Sequence, residues 1–366
     1  MKTLSRFRRA GLGAPIILLL SCAGALAQSK NGLSPAERLY AELAKLPSEE
    51  RQKRLEEGAR KEGRVQLVSL DSGALGRGHQ ELFQKRYPFL KVEAAGMGSQ
   101  DKAEQFIAEE TAGRHLTDAM SIATPVLAEI VERNLIARYP SPAEAKILPQ
   151  YRGFLDPEKR WLPWYTSEHG IAYNSKLVTE AEAPKSWEDL CKPEYRGKAS
   201  YEPVETRFLL GIHAMMGEEK MQNWLKCIGE NEPILQRGHE NRVRLMLAGD
   251  HPIAGETLLY NGTQLARRQK APFVAVYSAP VLLDAIAVVI NRNAPHPHAA
   301  ALFADWTLSD ESQQYMAAAM RGIVTMKHPF FPEDVKLVTF NFLDKATVDR
   351  LHGYWDKYVT KVRQHR

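Results

Sequence analysis

The sequence predicts an α/β protein built as two lobes, each a mixed sheet flanked by helices. Strand-type and helix-type segments alternate along the chain, and this pattern is typical of a largely parallel sheet covered by helices. The chain has 366 residues, which is more than one hydrophobic core usually holds. Its composition, 44% hydrophobic and 25% charged, is that of an ordinary globular protein.

The first residues predict export. Four basic residues without acids precede the apolar run 14–26, and Ala25-Leu26-Ala27 forms a small-x-small cleavage site before Gln28. We expect residues 1–27 to be a signal peptide and the mature chain to be periplasmic. Leu19-Leu20-Ser21-Cys22 also resembles a lipobox, which would anchor the chain through a lipid on Cys22. We favour cleavage after Ala27.

The charge balance argues against a nucleic-acid partner. The formal net charge of +5 falls by four, to +1, when the basic residues of segment 1–27 are removed. The basic character therefore belongs mainly to the export signal, and we predict no nucleic-acid binding.

A helical extension is predicted over residues 28–62, before the first lobe. Ser34 is an expected N-cap, Pro35 suits the first helical position and Glu37 completes a capping box. Gly63 marks the change to strand-type sequence. The predicted strands of the first lobe are 65–70, 91–94 and 118–122, with helices after 73, from 98 to 112 and from 124.

The alternation continues through the second lobe. Strands are predicted at 170–174, 198–201, 252–255 and 281–290, the last a long apolar run. Helices are predicted at 186–190, 241–248, 297–319 and 344–359, and from 265 onward. Two more helices are predicted between the strand 198–201 and Cys227.

Cys191 and Cys227 remain in the mature chain. Two cysteines in an oxidising compartment could form a disulfide, but the sequence does not show whether their Cα atoms lie close enough. There is no CxxC motif, so we predict no cysteine-ligated metal.

Motifs for catalysis and cofactor binding are missing. The chain has no HExxH, GxSxG, Walker A or EF-hand sequence. Gly73 to Gly78 reads GxxGxG and not the GxGxxG of dinucleotide sites. His296-Pro297-His298 is typical of a helix start and not of a metal site. We predict no cofactor, no resident metal and no catalytic residue.

Several segments, in order, resemble one family. They are Glu62-Gly63-Arg64-Val65, Phe83 to Pro88, Ala172 to Leu177, Pro184 to Leu190, Pro193 to Lys198 and Asn293 to Pro297. Together they resemble the periplasmic solute-binding proteins of ABC importers, in the branch of the ferric-iron-binding proteins. The resemblance implies a class II two-lobe fold with a ligand cleft between the lobes, and a partnership with an inner-membrane ABC permease. It places lobe 1 at 63–165 plus 275–325 and lobe 2 at 166–274 plus 326–366.

The predicted ligand site combines this resemblance with a general rule. Ligands of open α/β sheets bind beyond the carboxyl ends of the strands, where helix N-termini present free N–H groups. The candidate ligand-binding residues are Asp71, Ser72, Gln100, Thr124, Tyr173, Glu205, Thr206, Arg207, Glu256 and Tyr260.

The predicted ligand is a small polar, anionic solute bound by a monomeric receptor. Ferric-binding members of the branch use two adjacent tyrosines, whereas this chain has no adjacent tyrosine pair and offers only Tyr260 in the matching region. Helix N-termini and Arg207 suit a phosphonate, sulfonate or carboxylate better. Direct binding of ferric iron or an iron chelate stays an alternative, and an exported enzyme on the same fold a remote one.

Overall fold

The computed structural model describes residues 32–69, 73–96, 99–203, 206–328, 330–341 and 344–361. The predicted signal peptide and Cys22 lie outside the described residues. From Ser34 onward the chain forms one compact unit. The lobe boundaries given above therefore stay predictions.

One continuous mixed sheet runs through this unit. Its strands are β1 (Arg64–Ser69), β2 (Lys91–Gly96), β3 (Ala119–Ala123), β4 (Trp161–Asn174), β5 (Ala199–Tyr201), β6 (Ile234–Leu235), β7 (Ile253–Leu258), β8 (Phe273–Ala275), β9 (Val281–Ile290), β10 (Gly322–Ile323) and β11 (Leu337–Thr339). Within the described residues the order is β2-β1-β3-β9-β4-β7-β5-β6, while β8 and β10 pair with β4 and β11 pairs with β9.

The order separates two parallel strand sets. In the first set β1 lies between β2 and β3, and in the second set β5 lies between β6 and β7. The long antiparallel strands β4 and β9 lie between the two sets. This topology agrees with the predicted α/β class.

Helices cover the sheet. They are α1 (Pro35–Leu43), α2 (Ser48–Glu62), α3 (Gly73–Arg86), α4 (Ser99–Thr111), α5 (Ala128–Glu132), α6 (Thr206–Met216), α7 (Glu218–Glu230), α8 (His239–Ala248), α9 (Leu259–Gln269), α10 (Pro297–Thr307), α11 (Asp310–Ala318) and α12 (Lys345–Trp355). None of the helices in the described ranges is long and apolar enough to cross a membrane.

Local sequence signals explain where several helices begin and end. The Ser34 side chain accepts a hydrogen bond from the Glu37 N–H, and the Glu37 side chain accepts one from the Ser34 N–H, so the predicted capping box forms. Gly63 ends α2 in the left-handed conformation, at φ 70°, which favours glycine. The predicted helix 297–319 is two helices, because Ser309 caps the start of α11.

Strand β4 is nine residues longer at its N-terminal end than the predicted strand 170–174. The added segment contains the polar run Thr166 to His169, and all 14 residues of the strand are buried. Polar side chains inside a buried strand break the apolar pattern on which strand prediction depends. The centre of the sheet therefore contains buried polar side chains where an apolar core would be expected.

Cys191 and Cys227 form a disulfide, with their Cα atoms 5.5 Å apart. The bond joins the 3-10 turn Glu188–Cys191 to helix α7. The structure thus answers the question that the sequence left open. The bond lies beside the buried Trp187 and Trp224, whose rings meet edge to face.

Candidate functional site

The carboxyl ends of the two parallel strand sets face each other across the middle of β4. Strand β3 is antiparallel to β9, with Ala123 opposite Ile286, and β4 is also antiparallel to β9. Strand β7 is antiparallel to β4, with Leu258 opposite His169. Strand β3 therefore runs in the direction of β4 and β7 runs against it. Both sets end towards the same central region, which is where ligands of α/β sheets bind.

Polar side chains occupy the two strands at this centre. Thr166, Ser167, Glu168 and His169 lie on β4, and Asp284 lies on β9; all are buried. Because side chains alternate along a strand, Ser167 and His169 share one face and Thr166 and Glu168 the other. The contacts on the two faces differ accordingly.

On the first face, His169 lies between two carboxylates. Its Nδ1 is 2.9 Å from Glu256 Oε1, on β7, and its Nε2 is 3.3 Å from Asp284 Oδ1. Glu256 is also paired with Arg242, on α8, at 2.8 Å. Burial alone would raise the pKa of Glu256, but attraction to His239, Arg242 and His169 lowers it to about 2.

Arg207 extends this cluster towards the first strand set. It is the second residue of α6, and its Nη1 lies 3.3 Å from Ser167 Oγ and 3.7 Å from Asp284 Oδ2. Helix α6 contacts the 3-10 turn Thr124–Val126, which follows β3. The positive end of a helix and a guanidinium thus meet at the centre of the sheet.

The second face holds a separate acid–histidine pair. Glu168 Oε1 accepts a hydrogen bond from Thr166 Oγ1 at 2.8 Å and lies 3.1 Å from His328 Nε2. The His328 ring stacks on Phe331. A Cβ on Gly322 would lie 1.9 Å from Thr166 Oγ1 and 2.1 Å from Glu168 Oε1, so only glycine fits against this pair.

The predicted residues Thr124, Thr206, Arg207, Glu256 and Tyr260 lie around this centre. The Thr124 hydroxyl is buried and has no hydrogen-bond partner among the described residues. Thr206 Oγ1 contacts His352 Nε2 at 2.8 Å. The Tyr260 ring lies under the Arg321 guanidinium, 4.0 Å from the ring centroid, at the N-terminus of α9.

One predicted residue, Tyr173, is not brought together with this cluster. Tyr173 packs in an apolar cluster with residues such as Ile171 and Trp187, opposite Ile253 in the sheet. Gln100 lies in the first turn of α4. Asp71, Ser72 and Glu205 lie outside the described residues.

The candidate site also contains residues that were not predicted from the sequence: Ser167, His169, Asp284 and Arg242. Asp284 interrupts the apolar run 281–290, and a single buried acid in such a run is a usable signal. Arg242 looked like a solvated helix residue because charges precede and follow it, yet it is fully buried. Its partner Glu256 is adjacent only in the folded chain.

The described side chains do not form a resident metal site. In the part of the chain that the structure describes, no three His, Cys, Asp or Glu residues are arranged to hold a metal ion. The acids at the centre, Glu256 and Asp284, face cations instead. This arrangement suits hydrogen bonding to a solute.

Solved structures of periplasmic binding proteins share the fold. The iron-bound HitA of Pseudomonas aeruginosa superposes with a TM-score of 0.65 at 18% identity, covering 82% of this chain and 98% of that chain. AfuA of Actinobacillus pleuropneumoniae, bound to fructose 6-phosphate, gives 0.68 at 20% identity, with 81% and 99% covered. A Trichodesmium protein, IdiA (FutA), in complex with iron and citrate, gives 0.67 at 17%, with 82% and 99% covered. At these identities the likeness shows the fold alone, and it confirms the predicted class II architecture.

Sequence comparison also finds relatives. The Fe(3+)-binding periplasmic protein of Serratia marcescens is 27% identical over 137 residues, which are 37% of this chain. The match spans about a third (36%) of that relative's length. The family model described as bacterial extracellular solute-binding protein matches residues 118–350, more than half of the chain. This chain therefore belongs to the bacterial extracellular solute-binding protein family.

Proposed function

We propose that the chain is the substrate-binding component of a bacterial ABC importer. It would capture a small polar, anionic solute between the two strand sets and deliver it to an inner-membrane permease. The observation that carries the anionic class is Arg207, which lies at the N-terminus of α6 beside Ser167 and the facing strand ends. A guanidinium and a helix N-terminus together favour a phosphate, phosphonate, sulfonate or carboxylate group.

The structural neighbour AfuA supports a phosphorylated solute. That protein is bound to fructose 6-phosphate, an anion of the proposed class. Thr124 adds a buried hydroxyl without a partner among the described residues, which is suited to an oxygen-rich ligand. Family membership favours a receptor over an enzyme, and we propose that the chain catalyses no reaction.

The periplasm is the proposed location. The family is described as extracellular, and the sequence motif before Gln28 favours cleavage after Ala27. The mass of the protein recovered from an expressing bacterium tests this. A mass that matches a chain beginning at Gln28 supports free export. A mass that matches a chain beginning at Cys22 with an attached lipid supports an anchor.

Calorimetric titration of the mature chain with fructose 6-phosphate, a phosphonate and a sulfonate tests the anionic class. We expect one of them to bind and Arg207→Ala to weaken that binding at least tenfold, because a charge-assisted hydrogen bond contributes about 1.5–3 kcal/mol. Arg244→Ala is the matched control. It removes an exposed arginine paired with Glu240 on α8 and should leave the affinity unchanged. Equal affinity of the Arg207→Ala variant for the bound anion would contradict the proposal.

Ferric iron is the second candidate ligand. The Serratia relative and two of the structural neighbours are iron-binding or iron-bound proteins. A tyrosine phenolate on ferric iron gives a visible charge-transfer band, so addition of ferric citrate to the mature chain tests this candidate. A band that disappears in Tyr260→Phe would favour iron and displace the anion proposal.

A further inference from the structure

His169 forms the link between the two buried carboxylates of the first face. Glu256 on β7 faces its Nδ1, and Asp284 on β9 faces its Nε2. The side chains of all three residues are 0% exposed. A neutral imidazole carries one N–H and one lone pair, so it can donate to only one of two carboxylates. The second nitrogen would then turn its lone pair towards a carboxylate oxygen. The two flanking carboxylates therefore favour the imidazolium form of His169.

The Glu256 end of this chain of charges is fixed. Arg242 is fully buried, and its guanidinium contacts both the Glu256 carboxylate and the Glu256 backbone carbonyl. His239 lies 3.6 Å from the same carboxylate. The contacts with α8 thus fix the position of the Glu256 carboxylate, which in turn contacts His169 Nδ1.

The Asp284 end depends on cations. The Asp284 oxygens accept no hydrogen bond of good geometry from the described residues, and the nearest cations are His169, at 3.3 Å, and Arg207, at 3.7 Å. A buried carboxylate is stable only beside compensating charge. If His169 were neutral, Asp284 would depend on Arg207 alone.

We propose that His169 is a positioning residue for Arg207: its buried imidazolium holds Asp284, and Asp284 orients the Arg207 guanidinium for anion binding. The last step rests on the proposed function, whereas the link between His169, Asp284 and Arg207 does not. Among the described residues, the charged and titratable groups that face His169 or its partners are Glu256 on β7, Asp284 on β9, Arg207 on α6, His239 and Arg242 on α8, and the buried Tyr201 on β5. Burial opposes the charge of His169, but the neighbouring Asp284 and Glu256 carboxylates raise its pKa to about 9.

The first test needs no ligand. In the mature chain labelled with ¹⁵N-histidine, NMR reads the protonation of each ring, and His169→Gln assigns the signal. We expect both His169 nitrogens to stay protonated up to about pH 8, and Asp284→Asn to lower the titration midpoint by about one pH unit or more. A neutral His169 at pH 7, or a midpoint unchanged by Asp284→Asn, overturns the proposal.

The second test follows Arg207. In a ¹⁵N-arginine-labelled chain, with the signal assigned by Arg207→Lys, we expect His169→Gln to shift or broaden the Arg207 Nε–H signal. His298→Gln, which removes another carboxylate-paired histidine beside Glu62, is the control and should leave that signal unchanged. If His169→Gln does not fold, Asp284→Asn takes its place with the same expectation. An unchanged Arg207 signal in a folded variant overturns the proposal.

Binding provides the third test, with fructose 6-phosphate as the probe. We expect His169→Gln to weaken binding about tenfold in the native background but to have little further effect beside Arg207→Ala, because both act on the same guanidinium. An equal loss in both backgrounds indicates a merely structural role and contradicts the proposal. If the native chain does not bind the probe, this failure concerns the anion proposal, and the two NMR tests still decide the role of His169.

Discussion

Single residues at the centre of the sheet combine burial with charge. Gly322 is the clearest steric case, because it pairs with Thr166 in the sheet and the Thr166 and Glu168 side chains lie against it. The Thr166 hydroxyl and the Glu168 carboxylate occupy the space that a methyl group on this residue would need. The hydrogen-bonded pair of Glu168 and His328 therefore depends on the smallest residue at that position.

We expect Gly322→Ala to destabilise the protein by about 1–3 kcal/mol, because a methyl group there overpacks a buried site. Urea unfolding measures the change. Gly353→Ala in α12 is the matched control: no atom lies within 4 Å of its added Cβ, so it should be neutral or gain up to about 1 kcal/mol in helix propensity. Equal stability of both variants would show that the Thr166 and Glu168 side chains move away at little cost.

The residues of the candidate site were predictable only in part. Arg207, Thr124 and Tyr260 follow predicted strands or begin predicted helices, so the general rule for α/β sheets led to them. His169 and Asp284 lie inside strands, and their partners are distant in sequence. The apolar run that Asp284 interrupts marks this residue, but its pairing with His169 leaves no local pattern in the sequence.

At the scale of elements, strand β4 and the disulfide show what sequence patterns can and cannot predict. The apolar run of β9 predicted that strand at its full length, 281–290. Strand β4 was predicted short because its polar centre resembles a loop. The pairing of Cys191 with Cys227 depends on how α7 packs beside the turn Glu188–Cys191, and this packing is not encoded in the spacing of the cysteines.

The disulfide closes a loop of 36 residues. Restricting the unfolded chain over such a loop stabilises the folded state by about 3–4 kcal/mol. We therefore expect the double variant Cys191→Ala, Cys227→Ala to lose stability of this size in urea unfolding. A thiol reductant should destabilise the native chain similarly and leave the double variant unchanged. A reductant effect on the double variant would point to another cause.

At the scale of the whole molecule, buried histidines whose pKa values are shifted in opposite directions shape the dependence of stability on pH. The pKa of His169 is raised to about 9 by its carboxylate partners against the opposing effect of burial, whereas burial lowers the pKa of His79 to about 3. His79 is enclosed by Trp164 and Trp306 and contacts Ser312 Oγ at 2.8 Å. Burial also lowers the pKa of His251.

We expect the free energy of unfolding to be highest near pH 6.5 to 7. The contribution of His169, about 3 kcal/mol, is complete below pH 6.5 and is lost as the pH rises through 9. The contribution of neutral His79 is complete above pH 6.5 and is lost as the pH falls towards 3. Urea unfolding from pH 5 to 9 measures both slopes. His169→Gln should flatten the alkaline slope alone, and a slope unchanged by that substitution would contradict the assignment.

The positions of the first and last helices follow from the segments that run between the strand sets, which are β4, β9 and the segment leading to β11. Within the described residues the chain passes three times between the strand sets, so the first helix, α1, lies beside one set and the last, α12, beside the other. Helix α1 packs near α10, where Tyr40 Oη donates to the Pro297 carbonyl, and α12 packs on α6 and α7. A donor dye on α1 and an acceptor on α12 would therefore report any movement of one strand set against the other as a change in energy transfer, with neither dye near the candidate site.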